Sequence, residues 1–238
     1  MDLQFGRLIQ YAYQQGFGPT PIAVDPTPIG FRFVQTLMGN GNAEAPCCYG
    51  IVAERLSDGY RVAAIRGTAD PSEWVEDGEF WPERSPWGPG KTEGGFTDVV
   101  ESICGYLAPG VPVTLGQLQV KAVVGHSLGA AVAEGLAAKY GLEYAGLWAC
   151  PRLGDAAFVQ FLLSRVKTVL RLSVAGDIVP QVPLDLPPIF AYQHPPGQLL
   201  QPADGTPSDW PSRHALVTYL TAVSMIVPRY GHEGEVLT

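Results

Sequence analysis

Apolar strands and helices are predicted to alternate regularly in the middle of the chain, and few folds can accommodate such a pattern. From residue 120 to residue 174 the pattern predicts strand, helix, strand, helix and strand, at Val120–Val124, Leu128–Tyr140, Tyr144–Ala149, Asp155–Arg165 and Lys167–Val174. The strands are apolar on both faces, as expected where helices cover both sides of a sheet. The sequence therefore predicts an α/β protein with a mostly parallel central sheet flanked by helices.

The remaining elements are predicted to extend and cover this sheet. Two extended segments joined by Ser57-Asp58-Gly59 indicate a hairpin. The elements predicted outside the central run are a helix at 2–15, strands at Cys48–Arg55 and Tyr60–Ile65, a helix at Thr97–Leu107, a long loop at Asp185–Pro211 and a helix at His214–Val227. Because no linker or repeat divides the chain, we expect residues 1–238 to form a single domain.

Composition and charge exclude several classes of function. Hydrophobic residues form 46% of the 238-residue chain and charged residues 16%, which provides a large core and argues against disorder. The formal net charge is −8, whereas nucleic-acid binding needs a basic surface. The same charge disfavours attachment to anionic lipid headgroups. We therefore expect no nucleic-acid partner, and the residues imply no partner protein.

The four cysteines do not form a metal-binding pattern. None has CxxC spacing or a histidine at ligand spacing, so we expect no metal site at Cys47, Cys48, Cys104 or Cys150. We interpret them as small buried residues in a reducing compartment.

The first residues of the chain lack the basic start and apolar run of a secretory signal. No stretch approaches the roughly 20 apolar residues of a membrane span. We expect a soluble protein, either cytoplasmic or secreted with its signal removed.

A candidate nucleophile lies in Gly125-His126-Ser127-Leu128-Gly129, which matches G-x-S-x-G. The pattern alone is weak, because a chain with 28 glycines can match it by chance. Its position between a predicted strand and a predicted helix strengthens it. Small flanking residues permit a strained turn, and the helix N-terminus favours developing negative charge. We expect Ser127 to be a nucleophile; the alternative is a glycine-rich turn with an incidental serine.

A serine nucleophile needs a histidine to accept its proton, and four histidines are present. His214, at the start of the last predicted helix, is the preferred base, because the order serine, aspartate, histidine is that of α/β-hydrolases. His194 is the alternative, although the two prolines that follow it restrict its backbone. His126 adjoins the serine and must point elsewhere on the turn, and His232 lies in a polar tail.

The carboxylate that orients the base is expected at the C-terminal end of a sheet strand, where catalytic groups collect in α/β proteins. Asp177 follows the predicted strand at Lys167–Val174; Gly176 allows a sharp turn, and Pro180 prevents the strand from continuing. Asp177 would hold one tautomer of the base. Asp185 is the alternative, but its loop setting indicates a solvated charge.

With these residues in place, the chain resembles the class 3 lipase family, which contains fungal triacylglycerol lipases and related feruloyl esterases. The likeness covers most of residues 62–219. It rests on Ile65-Arg66-Gly67-Thr68, Trp74-Val75-Glu76-Asp77, Gly95-Phe96, the turn around Ser127, Pro151-Arg152-Leu153-Gly154-Asp155, Asp177-Ile178-Val179-Pro180 and His214 with Tyr219. The resemblance implies an α/β-hydrolase fold, no cofactor, and an oxyanion hole formed by Thr68 and the N–H of Leu128. The chain departs from the family where Glu93-Gly94 replaces a histidine usually found shortly before the Gly-Phe pair.

A short amphipathic helix is predicted at residues 70–81. Asp70 is a suitable N-cap, and Trp74, Val75 and Trp81 share one face at helical spacing. In similar lipases this segment is a lid, here about residues 69–90, that opens at an oil–water interface. The alternative is that Trp74 packs permanently. The segment is acidic, so we expect slower action on anionic than on neutral interfaces, with a smaller difference at high salt.

These observations predict a serine hydrolase that cleaves carboxylic esters, with an ester or lipid as its substrate, through an acyl-enzyme. Two alternatives stay open. One is a transacylase that passes the acyl group to an alcohol. The other is a non-catalytic lipid-binding protein on the same fold.

Overall fold

The computed structural model describes residues 3–41, 44–69, 80–108, 111–185 and 191–226, and the strands and helices of these residues are as follows. The strands are β1 (Phe31–Gly39), β2 (Cys47–Arg55), β3 (Arg61–Ile65), β4 (Pro82–Arg84), β5 (Lys91–Glu93), β6 (Gly105–Ala108), β7 (Val111–Val113), β8 (Ala122–His126), β9 (Tyr144–Trp148), β10 (Gly154–Asp155), β11 (Thr168–Val174), β12 (Tyr192–Gln193) and β13 (Gly197–Leu200). The helices are α1 (Leu3–Gln14), α2 (Gly94–Ser102), α3 (Leu128–Tyr140), α4 (Ala156–Arg165), α5 (Trp210–His214) and α6 (Leu216–Ile226), with 3-10 turns at Thr27–Ile29 and Val179–Gln181.

A seven-stranded sheet in the order β1-β2-β3-β8-β9-β11-β13 organises the fold. The five strands from β3 to β13 run parallel, and β1 and β2 add an antiparallel edge. The predicted hairpin is the β2–β3 pair, in which Glu54 lies opposite Arg61. The prediction of a mostly parallel central sheet is therefore confirmed. Two smaller sheets join β12-β10-β5-β4 and β6-β7.

Helices cover both faces of the central sheet, because successive strand residues point to opposite sides and both sides are apolar. In β3, Ala64 belongs to the core under α1 and α6, whereas Ile65 belongs to the core under α2, α3 and α4. Ile9 and Tyr219 are fully buried on the first face, and Leu136 is fully buried on the second. Because these strands are parallel, their C-terminal ends lie along one edge of the sheet, where ligands bind in such folds.

The helix predicted at Thr97–Leu107 is wrong at both ends. The helix begins earlier, at Gly94, because the Glu93 carboxylate accepts hydrogen bonds from the N–H groups of Gly95 and Phe96, at 3.0 and 2.7 Å. It ends at Ser102, because the Cys104 backbone pairs with β1 and the chain continues as β6. Long-range backbone pairing therefore overrides the apolar spacing that favoured a longer helix.

The segment predicted as a loop at Asp185–Pro211 contains two strands. β13 pairs in parallel with β11, so it is the last strand of the central sheet, and β12 belongs to a small sheet. Their short length left no periodic signal in the sequence. The helix predicted at His214–Val227 is α6, at Leu216–Ile226; the short helix α5 before it was predicted as loop, and Asp209 caps it by accepting from the N–H of Ser212. β1 was not anticipated.

The described residues were searched for membrane-spanning helices, metal sites and disulfides. Among those residues, no helix combines the length and the apolar character needed to cross a bilayer. No group of histidine, cysteine and carboxylate side chains there is placed to hold a metal ion. All four cysteines are free thiols, and Cys48 and Cys150 are buried.

Candidate active site

Ser127 lies on the sharp turn between β8 and α3. Its backbone adopts φ 59° and ψ −134°, a strained conformation for a residue with a side chain, and it is 1% exposed. A side chain on Gly125 would overlap the main chain of Gly129, and a side chain on Gly129 would overlap the carbonyl group of Arg66. The small residues predicted around the serine are thus required by close packing of the turn against the end of β3.

Asp177 and His214 form a hydrogen bond. His214 Nδ1 lies 3.0 Å from Asp177 Oδ2 and 3.2 Å from Oδ1, and both side chains are buried. Asp177 follows β11 through Gly176, whose φ of 89° gives the sharp turn that the sequence indicated. His214 is the last residue of α5. Since a carboxylate only accepts, Nδ1 donates; in the neutral ring the lone pair is then on Nε2.

Two further groups hold the Asp177 carboxylate in place. The Tyr219 hydroxyl donates to Oδ2 at 2.7 Å, and the Val179 N–H donates to Oδ1 at 3.0 Å. Tyr219 in turn accepts from the N–H of Val174 at 3.0 Å. Burial, with the Asp177 charge beside it, raises the pKa of Tyr219 well above its ordinary value, so the phenol remains a donor. Sequence reasoning noted Tyr219 only as part of a family motif and missed this role.

The Ser127 hydroxyl and the free nitrogen of His214 are both buried. Within the described part of the chain, neither Ser127 Oγ nor His214 Nε2 has a hydrogen-bond partner, so the two atoms do not bond to each other. They lie in the same region, because the ring of His126, which precedes the serine, is centred 4.8 Å from the His214 ring.

The residues considered as alternatives to His214 and Asp177 have different hydrogen-bond partners and exposure where the structure describes them. His194 Nε2 donates to the Pro180 carbonyl at 2.6 Å, and burial, with nearby Arg171, lowers the pKa of His194 to about 4. His126 bonds to Tyr13 and to the His214 carbonyl. Asp185 is exposed. His232 lies outside the described residues. Among the histidines that the structure describes, His214 is the one that bonds to a carboxylate.

Both predicted oxyanion-hole residues adjoin the serine turn. Leu128 is the first residue of α3, where backbone N–H groups have no partner within the helix. Thr68 follows β3, and β3 pairs with β8 with Ile65 opposite Gly125. A side chain on Gly67, next to Thr68, would lie 2.7 Å from Ser127 Cβ, so this segment passes directly against the nucleophile.

A cleft of about 370 Å³ opens beside these residues. Its walls include Tyr13, Thr68, His126, His214 and Leu216. It therefore joins one predicted oxyanion residue to the predicted base, with apolar surface from the residues that follow His214.

The predicted lid is only partly within the described residues. Trp74 and Val75 lie outside them. Trp81 is described and is 65% exposed, but it is not helical, and its carbonyl accepts from the N–H of Gly94 at 3.0 Å. The prediction of a helix through Trp81 is therefore wrong at its C-terminal end, because the chain turns there into β4, which pairs with β5.

Comparison with known proteins decides the family. A profile of the family described as lipase (class 3) matches residues 62–186, which is more than half of the chain. The chain belongs to the class 3 lipase family. The resemblance inferred from the motifs is thus confirmed, and this family member is a carboxylic ester hydrolase. The matched range includes Ser127 and Asp177 and ends before His214.

Solved structures of fungal lipases share the α/β-hydrolase fold. A mono- and diacylglycerol lipase from Aspergillus oryzae is 23% identical, with a TM-score of 0.58, and the match covers 86% of this chain and 81% of that one. A fungal lipase–inhibitor complex presented as a model for interfacial activation is 22% identical, with a TM-score of 0.60 and coverage of 86% and 80%.

A third match covers a smaller share of its relative's length. A deletion mutant of the Rhizomucor miehei lipase–propeptide complex is 21% identical, with a TM-score of 0.58, and the match covers 82% of this chain but 66% of that one. A comparison with curated protein sequences finds no match.

Proposed function

We propose that this class 3 lipase family member hydrolyses ester bonds of lipids at a lipid–water interface, with Ser127, His214 and Asp177 as its catalytic triad. The observation that carries the proposal is the bond from His214 Nδ1 to Asp177 at 3.0 Å, which leaves Nε2 without a partner among the described residues, as is the hydroxyl of the strained Ser127. Family membership and the interfacial model described for a fungal lipase support a lipid substrate.

The proposed chemistry begins with attack on the ester. Nε2 of His214 accepts the Ser127 hydroxyl proton while Oγ bonds to the carbonyl carbon, and Asp177 stabilises the imidazolium that forms. The negatively charged oxygen of the tetrahedral intermediate accepts hydrogen bonds from Leu128 N–H and from Thr68.

Collapse of the intermediate breaks the bond to the leaving alcohol. The imidazolium of His214 gives its proton to the departing oxygen, and an acyl-enzyme remains on Ser127. Water then attacks the acyl carbon and gives a proton to His214; the proton returns to Oγ as the carboxylic acid leaves. The cleft beside His214 and Leu216 is the proposed position of part of the substrate.

The test is hydrolysis of an ester series from acetyl to long-chain acyl, each in solution and as an emulsion. We expect rates to rise above the solubility limit, and Ser127→Ala to abolish turnover while Ser164→Ala, a change at an exposed serine, does not. A phosphonate should add its mass once, at Ser127. Activity that persists in Ser127→Ala would refute the assigned nucleophile.

Product analysis separates hydrolysis from transacylation. With a competing alcohol present, we expect free carboxylic acid as the main product. A dominant new ester would instead identify the enzyme as a transacylase.

A further inference from the structure

Close contacts through Tyr13 and His126 join residues Gly67 and Thr68, here called the oxyanion segment, to the loop of the catalytic base. The Tyr13 hydroxyl lies against Gly67, because a side chain on that glycine would come within 2.6 Å of it. The Tyr13 hydroxyl lies 2.9 Å from His126 Nδ1, and His126 Nε2 lies 2.8 Å from the carbonyl oxygen of His214. α1, the segment after β3, the serine turn and the end of α5 are therefore linked through two side chains.

The direction of each hydrogen bond follows from the chemistry of the groups. The His214 carbonyl can only accept, so His126 must carry its proton on Nε2. Burial, with the neighbouring His214, holds the pKa of His126 well below its ordinary value, so the ring is neutral and has one N–H. Nδ1 must then accept, and Tyr13 must donate. Burial raises the pKa of Tyr13 to about 12, so its hydroxyl keeps the proton that this bond requires.

Tyr13 thus selects the tautomer of His126. In the other tautomer, the lone pair of Nε2 would face the carbonyl oxygen of His214 at 2.8 Å, and the two would repel. The relation parallels that between Asp177 and His214, in which an outer group fixes which nitrogen of the inner ring carries the proton.

The space around Gly67 shows how closely these parts fit. A side chain on Gly67 would lie 2.6 Å from the Tyr13 hydroxyl, 2.7 Å from Ser127 Cβ and 2.9 Å from the His126 carbonyl oxygen. Tyr13, Thr68, His126 and His214 also line the same cleft. A shift of Tyr13 would therefore be transmitted to both the oxyanion segment and the base.

We infer that Tyr13 and His126 are positioning residues for ester hydrolysis. Tyr13 holds His126 in the tautomer that anchors the His214 backbone, and its hydroxyl packs against Gly67 beside Thr68. The inference rests on the proposed function, because it assigns His214 as the base. Neither residue touches the reacting atoms in this role. Both act through the placement of groups that do.

The first test is Tyr13→Phe, which removes one hydroxyl and keeps the ring. We expect kcat to fall about 10- to 100-fold while KM changes less than about threefold, because the lost contacts position groups that act in the transition state. The matched control is Tyr11→Phe on the same helix, whose half-buried phenol lies outside this hydrogen-bond chain and whose loss should leave kcat unchanged. A Tyr13→Phe enzyme with wild-type kcat would overturn the inference.

The second test reads the tautomer directly. Nitrogen NMR of protein labelled at histidine should show His126 protonated on Nε2 in the wild type, and a mixture of tautomers in folded Tyr13→Phe. His126→Gln assigns the signal. If Tyr13→Phe leaves the tautomer unchanged, the proposed role of Tyr13 is wrong, whatever the effect on kcat.

The third test is a double-mutant cycle. A glutamine at position 126 can donate its amide N–H to the His214 carbonyl without help from Tyr13. We therefore expect Tyr13→Phe to lower kcat less in the His126→Gln background than in the wild type, and equal losses would contradict the coupling.

Wild-type protein that hydrolyses no ester would refute the proposed function and the positioning role together, whereas an active wild type with an unaffected Tyr13→Phe variant would refute the positioning role alone.

Discussion

Replacing Glu134 with glutamine removes a buried carboxyl group that the proposed chemistry does not use. Glu134 lies on α3, about two turns after Ser127, and is fully buried. Its Oε2 is 3.5 Å from Cys150 Sγ, and within the described part of the chain its Oε1 has no partner. Burial raises the pKa of Glu134 from its ordinary 4.5 to about 8, and the hydrogen bond from Cys150 and the charge of Arg171 offset this only in part.

The raised pKa makes the fold lose stability as the pH rises. Between pH 4.5 and about 8, Glu134 is ionised in the unfolded chain but protonated in the folded protein, so the unfolded chain binds fewer protons. The free energy of unfolding then falls by about 1.4 kcal/mol per pH unit. From about pH 5.5 to about pH 8, allowing for partial ionisation at each end, the expected loss is about 3 kcal/mol.

Urea unfolding followed by tryptophan fluorescence measures this loss. Glutamine does not ionise and has a similar shape, so the difference in unfolding free energy between wild type and Glu134→Gln isolates the one carboxyl group. We expect this difference to move by about 3 kcal/mol in favour of the variant from about pH 5.5 to about pH 8. Glu143→Gln, at an exposed glutamate, is the control and should move by less than about 0.5 kcal/mol.

Equal pH dependence of the unfolding free energy in the wild type and in Glu134→Gln would refute the raised pKa of Glu134. That result would mean that Glu134 has the same protonation state in the folded and the unfolded chain over this range. A change in the slope against urea concentration would indicate an altered unfolded state instead, so the slopes must agree for the comparison to hold.

Three further predictions concern the site and its framework. Asp177→Asn should lower kcat for ester hydrolysis by about four orders of magnitude, because the amide favours the wrong tautomer of His214; a loss below tenfold would contradict the assignment. Tyr219→Phe removes a donor to the Asp177 carboxylate and should lower kcat about tenfold with little change in KM, as steady-state kinetics would show. Glu93→Ala removes the acceptor for two N–H groups of α2 and should lower the free energy of unfolding by about 1–2 kcal/mol, measured by urea unfolding.

The central sheet and its helices could be predicted from local pattern. The strands at Ala122–His126, Tyr144–Trp148 and Thr168–Val174 are short apolar runs, and the helices between them begin and end within about two residues of the predicted bounds. The serine turn could be predicted for the same reason, because the glycines that it needs adjoin the serine in the chain.

The elements that sequence reasoning missed depend on distant partners. β13 is four residues long and is a strand because β11 offers it a free parallel edge. The residues after Ser102 are apolar enough for a helix, but pairing of Cys104 with Met38 in β1 makes the backbone extended. Neither partner lies within a window that a periodic pattern can detect.

The fold class, the family and the candidates Ser127, Asp177 and His214 could be inferred from the sequence, because each of these depends on residues close together in the chain or on motifs in a fixed order. The bond of His214 to Asp177 rather than to Asp185, and the contacts of Tyr13 and His126 between the oxyanion segment and the base, become visible in the folded chain. Tyr13 and His126 are 113 residues apart, and one hydrogen bond of 2.9 Å joins them. A tautomer is set by the partners of both ring nitrogens, and those partners come together only when α1 packs on the sheet.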